Sequence, residues 1–116
     1  MANLKRNTIT LVKEVKEGEV ITETYLTPAF VPLSIVYEAN DVSEYVFKEE
    51  DKKSERERFE KMIEFTVSLY GNQFNKEDLT KGLHGPEAIE VLTDQLMFAA
   101  NGIQDEATKK FLAKKR

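Results

Sequence analysis

Hydrophobic and polar positions along this chain first follow the period of a strand and then that of a helix. Over residues 8–26 they read as strands, through TITLVKEV and VITETYL, both rich in β-branched and aromatic side chains and the second alternating in twos. KEGE separates the runs and puts Gly18 where a tight turn needs a positive φ, so the pattern predicts a β-hairpin. In the second arm Ile21, Glu23 and Tyr25 fall on one face, with Val20, Thr22, Thr24 and Leu26 on the other. Two strands alone are marginal in water. The hairpin is therefore expected to pack on helices or to extend a partner's sheet.

From residue 32 the repeat lengthens to that of a helix. Thr27, Pro28 and Pro32 end the hairpin, and Pro32 suits a first helical turn, where its missing N–H would be unpaired anyway. In PLSIVYEANDVSEYVF, Ile35, Ala39, Val42 and Val46 recur at helical spacing, and Leu33, Val36 and Tyr37 are expected to widen that stripe. Asn40-Asp41 leaves open one helix or two. Residues 48–58, KEEDKKSERER, hold no apolar side chain and read as a mobile connection or the solvated start of the next helix, with Ser54 as its cap and Glu57 three residues on.

That next helix, from about residue 54 to Tyr70, is the most apolar segment. Phe59, Met62, Ile63, Thr66, Leu69 and Tyr70 share one face while Phe65 and Val67 lie off it, so cover on more than one side is expected. Gly71 fits the residue after a helix end. Asn75 then caps a short helix over 76–81 with Asp78 in its first turn, and Gly82 closes it. Gly85-Pro86 starts a further helix with Ile89, Leu92, Leu96 and Ala99 on one face, and Asn101-Gly102 ends it. The expected fold class is α+β in a single domain over residues 1–116. It comprises a hairpin over 8–26, a bundle of about four helices over 32–103, and a helix-prone or frayed tail over 104–116.

Composition narrows the function classes. At 116 residues the chain can build one modest core but not two. A formal net charge of −4 argues against a nucleic-acid scaffold. With no cysteine, disulfides, thiolate metal sites and cysteine nucleophiles are excluded. No run of about 18 apolar residues predicts a membrane span, and MANLKRNTITL does not read as a secretory signal. A soluble intracellular domain is expected.

Candidate chemistry is sparse. YGNQFNKEDLTKGL, over residues 70–83, lacks the clustered glycines of a phosphate loop and the alternating acids of a calcium loop, and reads as a junction between helices. His84 is the only histidine, with no further His or Cys to complete a zinc site and no nucleophile-elbow pattern to complete a triad. Glu49, Glu50 and Asp51 lie in a charge run rather than beside apolar neighbours that would raise a carboxyl pKa for acid catalysis. Lys109, Lys110, Lys114, Lys115 and Arg116 form a basic end that suits a helix C-terminus better than a nucleic-acid module. No catalytic, cofactor-binding or metal residue is assigned. Residues 62–70 and 96–100 hold more apolar side chains than one stripe requires, which points to an interface with other chains.

Residues 65–83, FTVSLYGNQFNKEDLTKGL, resemble the most recognisable part of the tail assembly chaperones of long-tailed bacteriophages and related prophages. In that family an apolar helix ends in aromatic-Gly-Asn-Gln-Phe, followed by a small capping residue, a hydrophobic position and Gly-Leu. Here those places hold Tyr70, Gly71, Asn72, Gln73, Phe74, Asn75, Leu79, Gly82 and Leu83. TYLTPAFVPLSIVYEA, residues 24–39, is similar to the family's strand-Pro-helix entry, while AIEVLTDQLMFAANG corresponds in character only. Asn75 departs from the family's usual Thr or Ser, though all three cap helices well. The charged insert over 48–58 is a second departure, and leaves the length of the first helix open.

The resemblance implies a non-enzymatic chaperone in the bacterial host cytoplasm, absent from the mature virion. Such a protein binds the tape-measure protein, keeps it soluble and recruits the tail tube protein. The family also implies self-association into a homo-oligomer, and a longer product of ribosomal frameshifting, for which Lys109-Lys110 or Lys114-Lys115 could be encoded by a slippery run. Tape-measure proteins are long and helical, so helix-in-groove contacts are expected, with Phe65, Leu69 and Phe98 as candidate contact residues. No nucleic-acid or membrane partner is expected. The competing reading is a small helix-turn-helix regulatory or DNA-binding domain over residues 59–100, although KEDLTKGL is short and mixed in charge for a recognition helix.

Overall fold

The chain reverses at Glu17 and Gly18, whose φ values of 52° and 83° are both positive. A two-residue reversal of this kind matches the right-handed twist of the strands it joins, which is how KEGE closes a hairpin. The computed structural model describes residues 4–47, 54–104 and 106–114. In it β1 (Thr8–Lys16) and β2 (Glu19–Leu26) pair antiparallel in one two-stranded sheet. The register runs from Thr8 opposite Leu26 to Lys16 opposite Glu19, with a bulge between Val12 and Glu14 that leaves Lys13 over. The base of the hairpin is anchored by Ile9 and Leu11, both buried. Residues 13–23, the distal arm, are all exposed.

Among the described residues five helices follow: α1 (Leu33–Phe47), α2 (Glu55–Leu69), α3 (Lys76–Gly82), α4 (Ala88–Asn101) and α5 (Glu106–Lys114), with a 3-10 turn at Gly85–Glu87 before α4. The described residues thus form the α+β arrangement of a hairpin followed by helices. Helix α1 runs unbroken through Asn40-Asp41 and buries Ala39, Val42 and Val46 against α2 and α4. Leu33 and Tyr37 do not widen that stripe. They lie on the opposite side of α1, which no other described helix covers, and stay exposed.

Helix α2 opens on Ser54, whose Oγ accepts a hydrogen bond from the Glu57 amide at 3.2 Å. Residues 55–58 of the charged run are its first turn, while 48–53, including Glu49, Glu50 and Asp51, lie outside the described residues. The breadth of its apolar surface has a simple cause: α2 packs on α1, α3 and α4 at once. It buries Met62, Ile63, Phe65, Thr66 and Leu69. On α4, Leu92, Leu96 and Ala99 are buried as the spacing predicts, but Ile89, at its first turn, is exposed. Residues of the tail form α5, which packs on β1. Lys115 and Arg116 lie outside the described residues.

Candidate functional site

The aromatic-Gly-Asn-Gln-Phe block is a junction that fastens the hairpin to the helices. Gly71 and Asn72 both take left-handed backbone, with φ of 64° and 62°. Their amides return to the Ser68 and Val67 carbonyls at 3.0 and 3.1 Å, the pair of bonds that closes a helix C-terminus. A side chain at Gly71 would also meet Pro28 Cγ at 3.3 Å, where the hairpin leaves for α1. Gln73 Nε2 donates to the Leu26 carbonyl at 2.6 Å and to the Tyr70 carbonyl at 2.9 Å, joining the end of β2 to the end of α2.

Phe74 is buried between two rings, edge-on to Tyr25 with centroids 5.0 Å apart and tilted on Tyr70 at 5.3 Å. Asn75 then starts α3 with a reciprocal cap: its Oδ1 accepts from the Asp78 amide at 2.8 Å, and Asp78 Oδ2 accepts from the Asn75 amide at 2.9 Å. Leu79 is fully buried and Leu83 half-buried against the same core. Gly82 lets α3 touch β1, since a Cβ there would stand 3.0 Å from Leu11 Cβ and 3.2 Å from the Val12 carbonyl oxygen. Every residue of the block has a structural task.

Beneath the block lies a buried polar network that sequence reasoning missed. Gln95 Oε1 accepts from the Tyr70 hydroxyl at 2.5 Å and from Asn7 Nδ2 at 3.0 Å, while Gln95 Nε2 donates to the Thr8 carbonyl at 3.2 Å. Thr108 Oγ1 donates to Asn7 Oδ1 at 2.8 Å, takes the Thr8 amide at 2.9 Å and lies 2.7 Å from Thr8 Oγ1. One signal could have found Gln95: it stands three residues after Leu92, on the buried stripe of its helix. Asn7 and Thr108 carry no such signal.

The candidate contact residues are core. Phe65 and Leu69 are each 1% exposed and Phe98 is 7% exposed, inside the cluster that α2 and α4 share. None presents a surface to another chain in the folded molecule. Their surplus over a single stripe is used by helices of this same chain. His84 is exposed and flanks a groove of about 650 Å³ beside β1 and α4, with Glu87, Glu90 and Asp94 along it. Among the described residues no group of three or more His, Asp or Glu is placed to hold a metal ion.

On α3 the exposed cations are already paired: Lys76 Nζ with Glu60 Oε2 at 2.7 Å, and Lys81 Nζ with Glu77 Oε1 at 2.7 Å. The hydrogen bond from Lys76, reinforced by its charge, holds the Glu60 carboxyl below the usual carboxylate range, and the same bond raises Lys76.

Unoccupied apolar surface lies in two other places. At the entry to α1, Phe30, Leu33 and Tyr37 are 66%, 63% and 62% exposed. Leu33 and Tyr37 stand one turn apart on the uncovered side of a helix whose charges, Glu38, Asp41 and Glu44, are all acidic. On the hairpin arm, Val15 and Val20 face each other across the strands at 67% and 59% exposure. No described helix is long and apolar enough to cross a membrane. A family model described as phage tail chaperone protein matches residues 4–116. No curated protein and no solved structure matches the chain.

Proposed function

Since the chain belongs to the phage tail chaperone protein family, we propose that it binds the tape-measure protein and keeps it soluble until the tail tube assembles around it. The observation that carries this reading is the bare apolar pair of Leu33 and Tyr37 on an acidic helix, with exposed Phe30 just ahead of it. A long helical client presents apolar stripes of its own, and an exposed line one turn apart accepts such a stripe along α1. The acids around the line favour client segments rich in Lys and Arg, and would raise the rate of encounter more than the final affinity.

The activity is non-enzymatic and belongs to the bacterial host cytoplasm, before the virion is complete. The chaperone works as a homo-oligomer. A frameshifted longer form would recruit the tail tube protein.

Co-expression with the tape-measure protein tests the reading. Leu33→Glu and Tyr37→Glu change exposed residues, so both variants should fold. They should lower affinity for the client at least tenfold and return it to the insoluble fraction. Wild-type protein that fails to retain the tape-measure protein, or variants that retain it undiminished, would sink the proposal.

A further inference from the structure

We infer that the outer edge of β2 pairs with the same edge of a second copy, antiparallel about a two-fold axis at Thr22, so that both hairpins form one continuous sheet. This rests on the self-association proposed above and says where and how it happens.

The backbone shows which groups are free. Thr8 gives its amide to Thr108 and its carbonyl to Gln95, so both point away from β2. Thr8 opposite Leu26 is therefore a pair without mutual hydrogen bonds, and alternation makes Thr10–Thr24 and Val12–Thr22 the same. On β2 it follows that Val20, Thr22, Thr24 and Leu26 direct both N–H and C=O outward. Leu26 uses its carbonyl on Gln73. The outward groups of Val20, Thr22 and Thr24 have no backbone partner among the described residues.

This edge lacks most of the usual protection. Strand β2 carries no Lys, no Pro and no bulge of its own, the devices that commonly stop a bare edge from pairing. Its charges, Glu19 and Glu23, lie on one face. The other face of the hairpin is Thr8, Thr10, Val12, Val15, Val20, Thr22, Thr24 and Leu26, without charge and β-branched but for Leu26.

Charge selects the register. A two-fold axis at Ile21 would set Glu19 opposite Glu23 twice, and one at Glu23 would set that residue against itself. An axis at Thr24 needs the Leu26 carbonyl, already taken, and an axis at Val20 runs the ladder into the turn. The axis at Thr22 avoids all four conflicts. It pairs Val20 with Thr24 and Thr22 with itself, for about six backbone bonds at two per hydrogen-bonded pair. It also sets the second copy's Glu19 opposite Tyr25, over whose ring the Lys13 ammonium already stands 5.0 Å from the centroid.

The test uses Thr22→Pro and light scattering. The Thr22 amide points away from β1, so proline removes no bond within the hairpin. Wild-type protein should be a dimer or a multiple of one, and Thr22→Pro should fall to half that mass or below with unchanged circular dichroism. Thr22→Cys places the chain's sole thiol about 5.5 Å, Cα to Cα, from its copy, within disulfide reach. It should cross-link on mild oxidation at least tenfold faster than Lys16→Cys. A Thr22→Pro variant of unchanged mass, or equal cross-linking from both cysteines, overturns the inference. A wild-type monomer that still holds the tape-measure protein overturns edge pairing alone and leaves the proposed function standing.

Discussion

Gln95 shows what one side chain does when it is buried with both of its polar atoms bonded. Its two acceptor contacts and one donor contact tie α4 to the end of α2 and to the segment entering β1. Gln95→Leu would keep the volume but take one buried hydrogen bond each from the Tyr70 hydroxyl, Asn7 Nδ2 and the Thr8 carbonyl, so a loss of roughly 3 kcal/mol is expected in denaturant unfolding. Tyr70→Phe leaves Gln95 Oε1 its bond from Asn7 and should cost only about 1 kcal/mol. Equal losses from the two changes would show that the network does not hold the fold as described. At the same scale, Lys76→Ala should return the Glu60 carboxyl upward to its ordinary range. The depressed pKa means the pair stabilises above about pH 4.5 and lapses as pH falls through the lowered value, which a carboxylate NMR titration of both proteins would register.

Among the elements, α3 and α5 are too short to persist alone, and each is held by something outside itself. Helix α3 has its reciprocal cap, Leu79 in the core and the close approach of Gly82 to β1. Helix α5, of nine residues, depends on Thr108, whose one hydroxyl proton and two lone pairs are all engaged by Asn7 and Thr8. Thr108→Val is expected to cost about 2–3 kcal/mol and to speed amide exchange in α5 selectively. Protection of α5 that matches wild type would mean some other contact holds the helix. These anchors were not legible in the chain because Thr and Asn are common surface residues. Only a partner some hundred positions away makes Thr108 a core residue.

Taken whole, the molecule is a helical body from which a hairpin arm and one side of α1 stand bare. The body is tied end to end, since residues 5–8 bond to Gly102, Gln104, Gln95 and Thr108. That closure holds the segment entering the hairpin and the C-terminal helix on one core. The two proposals make separable demands on this surface: Leu33→Glu should release the tape-measure protein without changing mass, and Thr22→Pro should change mass without unfolding the body.

The sequence by itself determined most of the elements and their ends, leaving open whether Asn40-Asp41 split the first helix and whether the tail was helical. Period, Gly18, Gly71, the Asn75 cap and the Pro32 entry are local chemistry, and local chemistry is decided within a few residues. The family block is legible for the same reason, since its glycines and caps act on their neighbours. Tertiary structure alone decided which apolar residues are inside. Phe65, Leu69 and Phe98 and the exposed Phe30, Leu33 and Tyr37 are all large apolar side chains that composition does not set apart. The period that puts Leu33 and Tyr37 opposite the stripe of Ala39, Val42 and Val46 does not say whether a neighbour covers that side. Burial depends on where the other helices stand: α2 has neighbours on several sides and α1 on one.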